Sequence, residues 1–153
     1  WLYDEQHSRL YWDKILNDGS IDIGFWTYNQ GTPIGAATLA FRITRDAHYL
    51  RRAERIAEAT LKHCWQHDNF FRQPAAFNAI FFRNLLLLYA ENGQQEYLES
   101  MQAYADRMWT EFRDPNTGLI RSDLSEYRLH DQAAMVQIFA CLAWDPEQYT
   151  KLA

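Results

Sequence analysis

Residues 26–30 read Trp-Thr-Tyr-Asn-Gln and run directly into Gly31. Trp26 and Tyr28 supply flat apolar faces, while Asn29 and Gln30 supply amides that both donate and accept hydrogen bonds. A sugar calls for that pairing, because its ring has an apolar side and each hydroxyl both donates and accepts. Thr27 adds a hydroxyl, and Asp13 adds a carboxylate on a predicted first helix that faces the loop. Gly31 lets the backbone turn sharply, which puts these side chains at a helix start where free amide hydrogens point outward. The same residues also admit a purely structural assignment, with Asn29 capping the helix and Tyr28 filling the core.

Other chemistry-bearing groups point to simpler roles. His63 and His67 stand four apart on one helix face, a spacing that can reach zinc, but no Glu follows His63 in the metalloprotease pattern and no metal is expected. Asp131 opens a helical stretch and is expected to cap it. Arg83 is expected to brace a loop. Cys64 and Cys141 lie far apart among apolar neighbours, which suits buried free thiols at least as well as a disulfide. No Ser-His-Asp set, phosphate-cradling glycine loop or cysteine nucleophile is evident, and no cofactor is implied.

Composition narrows the function classes. At 153 residues the chain is long enough for one domain with a real core, and residues 1–153 are read as one. A net charge of −5 argues against nucleic acid as a partner, since that affinity comes from clustered Lys and Arg. The one basic run, Arg-Arg-Ala-Glu-Arg at 51–55, alternates as a solvated helix face does. The longest apolar run, at 85–90, falls far short of the ~18 residues of a membrane span. Aromatic residues make up 16% of the chain, rings of a kind that can stack on a ligand, although a large aromatic core is the simpler account of any single one.

The elements that must position these groups follow from periodicity. Apolar residues recur at spacings of three and four nearly throughout, so the fold class is all-α. Six helices are predicted: residues 4–16, a second that follows Gly31 and Pro33 and ends near 43, then 46–63, 74–92, 95–112 and 130–144. The stretch 41–61 overlays 89–109 at an offset of 48, aligning Phe41 with Tyr89, Tyr49 with Tyr97, Leu50 with Leu98 and Ala57 with Ala105. A shorter echo places Tyr149 at the position of the repeated Tyr. Each unit is therefore helix, tight turn, helix and long loop, an arrangement that suits α-hairpins set around a ring. The long loops 17–30, 63–73 and 114–128 would gather on one rim, where function is expected.

The opening stretch also carries a family resemblance. Thr-Tyr-Asn-Gln-Gly at 27–31, followed by Pro-Ile-Gly-Ala-Ala and then Tyr-Leu-Arg-Arg-Ala-Glu-Arg-Ile-Ala, resembles the C-terminal half of glycoside hydrolase family 76, the endo-α-1,6-mannanases and related enzymes. Residues 77–85 are similar to that family's segment reading Phe, Lys, Gly, Ile, Phe and then Arg, with Asn78 and Ala79 standing where the family has Lys and Gly. Residues 11–15 with 18–21 are similar to the segment leading into its Tyr-Asn-Gln-Gly loop.

The resemblance implies α-hairpin repeats forming about half of an (α/α)6 barrel that hydrolyses or transglycosylates α-1,6-linked mannose chains. Trp26, Thr27, Tyr28, Asn29, Gln30, Asp13 and Asn78 would then line a carbohydrate-binding cleft. The family's catalytic pair, two adjacent aspartates, is expected upstream of this chain, because no Asp-Asp dipeptide occurs in the 153 residues. Trp1 opens what reads as the middle of an amphipathic helix, so the native start is likewise expected upstream. The open side of such a half-barrel is expected to be apolar and covered by missing residues, a second chain or a neighbouring copy. The alternatives are an α-solenoid scaffold holding a protein partner on the same rim, and a related toroidal sugar epimerase or uronyl hydrolase.

Overall fold

Tight reversals after long helices set the architecture, and their chemistry is local. Asp46 accepts a hydrogen bond from His48 N and so caps the helix that follows it. Arg45 and Gly93, 48 residues apart, both terminate helices in the left-handed conformation, at φ 58° and 68°. A computed structural model describes residues 2–5, 8–121 and 126–152, so part of the third long loop, 122–125, lies outside the described residues.

Among the described residues the helices are α1 (Thr27–Thr44), α2 (Ala47–His67), α3 (Ala75–Asn92), α4 (Gln95–Glu111) and α5 (Leu129–Leu142). Short 3-10 segments occupy Asn69–Phe71 and Pro146–Leu152, and a small hairpin pairs β1 (Lys14–Ile15) with β2 (Ile21–Asp22). The sequence repeat is real in three dimensions: α3 and α4 begin 48 residues after α1 and α2, at 75 against 27 and at 95 against 47.

Helices α1, α3 and α5 lie side by side as an inner layer, with α2 backing α1 and α4 backing α3 and α5. The Pro146–Leu152 segment folds back on α3. Outer helices α2 and α4 are strongly amphipathic, whereas α1, α3 and α5 are apolar nearly all round, as helices with neighbours on several sides must be. The all-α partial barrel expected from the sequence is the fold observed. Its core is aromatic: Phe70, Phe81, Phe82 and Tyr104 are fully buried and meet with ring centroids 5.2–5.9 Å apart.

Two sequence expectations are corrected here. Residues 4–16 were expected to be helical; the described part forms a turn, a bridge between Tyr3 and Tyr11, and strand β1. Tertiary bonding overrides the periodicity, because the backbone N–H and C=O of Tyr11 are both taken by the side chain of Gln30. The Asp18-Gly19 pair is a hairpin turn, with Gly19 at φ 86° and Asp18 Oδ1 accepting from Ser20 N.

Helix α1 also starts four residues earlier than Gly31. Its first turn is held by Gln73, whose Oε1 accepts from Thr27 N at 2.9 Å. Gly31 therefore sits inside the helix, where a Cβ would stand 2.6 Å from Phe81 Cα, so it permits close packing of α1 on α3 and makes no turn.

The long loops are tied to the inner layer by one recurring device. The fourth residue of each inner helix is an amide: Gln30 in α1, Asn78 in α3 and Gln132 in α5. Gln30 clasps the backbone of Tyr11 at 2.8 Å in both directions, and Gln132 clasps Ile120 at 3.0 and 2.6 Å. Asn78 Nδ2 donates to Phe70 O at 2.7 Å. A buried backbone group left unpaired is costly, and these amides satisfy loop groups that have no ladder of their own.

Replacing Gly31 with Ala is expected to force α1 and α3 apart, at a cost of roughly 1–3 kcal/mol read from urea denaturation; an unchanged midpoint would contradict the packing role.

Candidate functional site

Because α1, α3 and α5 are inner helices whose first turns follow the long loops, those turns form one rim. On α1 the first turn presents Tyr28 and Asn29, both half-buried, beside Trp26 at the N-cap. Asp13, just before β1, reaches over them: its Oδ1 accepts from Tyr28 Oη and from Asn29 Nδ2, each at 3.0 Å. Lys14 Nζ lies 3.3 Å from Asp13 Oδ2 and 3.6 Å from Asp22 Oδ2, which ties the β-hairpin to the same corner.

The rings gather around one residue of α3. Phe77 meets Tyr28 edge-on, with centroids 4.6 Å apart at 67°, and meets Trp26 at 5.6 Å and 81°. Edge-to-face contacts of this kind fix ring orientation while leaving part of each face open.

Desolvation alone would raise the Asp13 pKa, but hydrogen bonds from Asn29 and Tyr28, with Lys14 beside them, hold it below the ordinary carboxylate value. The Tyr28 hydroxyl is pushed up, first by burial and then by the carboxylate it bonds to. The corner thus pairs a firmly ionised acid with two donors that it orients.

The structure brings Asp13, Trp26, Tyr28 and Asn29 together and separates them from the other three predicted site residues. Thr27, Gln30 and Asn78 have no exposed surface. Thr27 Oγ1 stands 2.8 Å from Gln73 Oε1 and 2.9 Å from Asn78 Oδ1, its single proton serving both oxygens. Gln30 is committed to Tyr11 and to Trp26 O, and Asn78 to Phe70 O and Tyr104 Oη. The expectation that these three side chains touch substrate is therefore corrected: their polar groups face inward and hold the rim in place.

Asp131 stands in the first turn of α5, three residues after the N-cap position Arg128. It is 1% exposed on α5, and its Oδ1 accepts from Ala76 N at 3.2 Å, capping the neighbouring helix α3 just as Gln73 caps α1. Arg83 braces as expected, donating from two nitrogens to Leu152 O. His63 Nε2 pairs with Asn69 Nδ2 at 2.8 Å, and the His63 ring lies 4.3 Å from that of Phe25. Cys64 and Cys141 are free and buried.

Phe77 is the rim residue that sequence reasoning missed. It was legible through the repeat, since the 48-residue offset maps Asn29 onto Phe77.

A half-ring of α-hairpins with aromatic and amide groups on the rim of its inner helices defines the class, an all-α partial barrel. The model of glycosyl hydrolase family 76 matches residues 1–144, and the chain belongs to that family. Among solved structures it is similar to a family 76 glycoside hydrolase from a bovine Bacteroides thetaiotaomicron strain, with 24% identity and a TM-score of 0.76 over 94% of this chain and 35% of that one. A family 76 mannosidase from Bacteroides thetaiotaomicron matches with 23% identity and a TM-score of 0.77, over 93% and 44%. A family 76 α-mannanase from the same species gives 21% and 0.71, over 93% and 42%. The chain thus spans less than half the length of each of these three structures. No curated protein sequence matches it.

Replacing Asp13 with Asn tests the corner through its pH dependence. A depressed folded-state pKa contributes stability that is present above the unfolded value of 3.8 and lost as pH falls through the folded one. The melting temperature of wild type is expected to exceed that of Asp13→Asn above about pH 5, with the gap closing below about pH 3.8. A gap that stays constant with pH would contradict the ionised corner.

Proposed function

We propose that the complete protein is a glycosidase acting on α-1,6-linked mannan by hydrolysis or transglycosylation, and that this chain supplies the substrate-gripping half of the cleft. The observation that carries the reading is the rim corner, where two amphipathic rings, Trp26 and Tyr28, stand beside the Asn29 amide and the Asp13 carboxylate. Family membership supports the reaction class, and the names of two similar structures, a mannosidase and an α-mannanase, support the substrate class.

The chemistry needs two carboxyl groups, about 5–5.5 Å apart if configuration is retained. One must be protonated when it meets the leaving oxygen, which calls for a raised pKa. Asp13 has the opposite shift, so its role in this reading is to orient Tyr28 and Asn29 toward sugar hydroxyls. The acid pair would come from the family's Asp-Asp segment, outside residues 1–153. The exposed apolar residues of the inner helices, Ile43 at 84%, Val136 at 68% and Leu129 at 86%, fit a covering half contributed from elsewhere.

Incubation of the complete protein with defined mannans is expected to release α-1,6-linked manno-oligosaccharides; an unchanged α-1,6-mannan in product analysis overturns the assignment. Two neighbouring substitutions should separate the roles of adjacent amides. Asn29→Ala is expected to weaken manno-oligosaccharide binding roughly tenfold, the equivalent of about 1.4 kcal/mol, with little change in melting temperature. Gln30→Ala is expected to cost about 1–3 kcal/mol of stability, because it strands the Tyr11 backbone groups. The reverse pattern in calorimetry would sink the division of labour.

A further inference from the structure

A second concave site lies on the flank of α2, behind the rim. Its cavity, of about 360 Å3, is at the small end of the range that holds ligands. One wall is the exposed stripe of α2 carrying Arg55, Lys62 and Gln66, and the other is the N-terminal segment bearing Arg9.

The charge in this cavity runs against the rest of the molecule. The chain carries a net charge of −5, yet three cationic side chains line the cavity and only one carboxylate, Glu58, accompanies them among the described residues. Glu58 stands three residues from Arg55 and four from Lys62, the spacings at which helical ion pairs form, and pairs with neither. Arg9, Arg55 and Lys62 make no ion pair among the described residues. Like charges facing one concavity repel, and the low-dielectric walls concentrate their field on whatever enters.

The segment that carries Arg9 is itself held in shape. Asp4 Oδ2 accepts from Ser8 N and Ser8 Oγ, each at 3.0 Å, Arg9 N donates to Asp4 O at 2.7 Å, and Arg9 takes a left-handed φ of 58°. Non-glycine residues rarely adopt that conformation, and here Arg9 lines the cavity opposite α2.

We propose that this cavity binds a small anion bearing a phosphate or carboxylate group, with Arg9 and Arg55 as forked donors, Lys62 as a point charge and Gln66 as a neutral donor. The site does not depend on the mannan reading. It adjoins the rim through His63, which lines the cavity and packs its ring at a tilt against Phe25, the residue before Trp26. An anionic substituent on a saccharide could therefore be held here while its neutral rings lie on the rim.

The test uses the complete protein titrated with inorganic phosphate, with glucuronate and with neutral mannose, followed by calorimetry at low and at 0.5 M salt. Saturable binding of phosphate or of glucuronate is expected, weakened in the variants below, while any binding of mannose at the rim is the same in variants and wild type. Preference between the two anions identifies the group. Salt should weaken the binding, and the Arg55→Gln, Lys62→Gln double variant should bind at least tenfold less tightly, with its circular dichroism unchanged. Arg9→Gln provides an independent variant, expected to weaken anion binding likewise. Anion binding of equal strength in both variants and wild type, or no binding of either anion, overturns the proposal. Binding of neutral manno-oligosaccharide is read on the same variants and should be unaffected, so failure of this site and failure of the rim reading are separate results.

Discussion

The rest of the structure depends on a buried carboxamide at the fourth position of each inner helix. Gln30, Asn78 and Gln132 each turn inward and bond to the backbone of the long loop that precedes their helix. These segments have only isolated bridges or a single 3-10 turn of their own, and a backbone group buried without a hydrogen bond is costly. An amide carries both donor and acceptor, so one side chain can satisfy a backbone N–H and C=O together, as Gln30 and Gln132 do. Where the fourth residue is the shorter Asn78, it reaches only the carbonyl of Phe70, and its oxygen is left to meet Thr27 on the neighbouring helix. The amide thus ties the loop to the first turn, and in α1 and α3 the second and third residues of that turn are partly exposed, whereas in α5 the third, Asp131, is buried.

Capping across the layer locks the inner helices to one another. Gln73, two residues before α3, caps α1, and Asp131, in the first turn of α5, caps α3. Each helix start is thus satisfied by the next hairpin rather than by its own N-cap side chain, and neither α1 nor α3 has a side-chain cap of its own. At the other end of the layer the Arg42–Glu91 ion pair joins α1 to α3, and Arg42 also donates to Thr150 O. The hairpins are therefore coupled to one another at both ends, and a rim built across them keeps its geometry only while they remain in register.

The repeat, the tight turns and most helix ends were legible because they rest on local chemistry: Asp46 as a cap, Gly93 as a left-handed stop, and apolar spacing of three and four. Residues 4–16 were not, since a helical period over so short a stretch is weaker than the pull of Gln30 on the Tyr11 backbone. The site divides along the same line. Residue type was enough to group Trp26, Tyr28, Asn29 and Asp13, which the structure places side by side, but type cannot tell an amide that faces solvent from one that faces a loop. Asn29 and Gln30 are adjacent in sequence and about 100° apart around the helix, so one joins the rim and the other the interior. Only the position of the helix start decides which, and placing it after Gly31 hid the distinction. Once α1 begins at Thr27, the 48-residue repeat gives Asn78 its interior place and Phe77 its rim place.

The electrostatics of the corner bear on what the rim can do. A carboxylate that accepts hydrogen bonds from Tyr28 and Asn29 and lies against Lys14 is stabilised in its ionised form, which removes it as a proton donor near neutral pH. The same bonds fix the Tyr28 ring and the Asn29 amide, leaving the second amide hydrogen and the amide oxygen of Asn29 as the groups able to meet a hydroxyl. Ordering them in advance means that a bound sugar need not bear the cost of immobilising them. In the proposed function a corner of this kind would supply binding and orientation without proton transfer, which is the division of labour expected if the acids belong to another part of the ring.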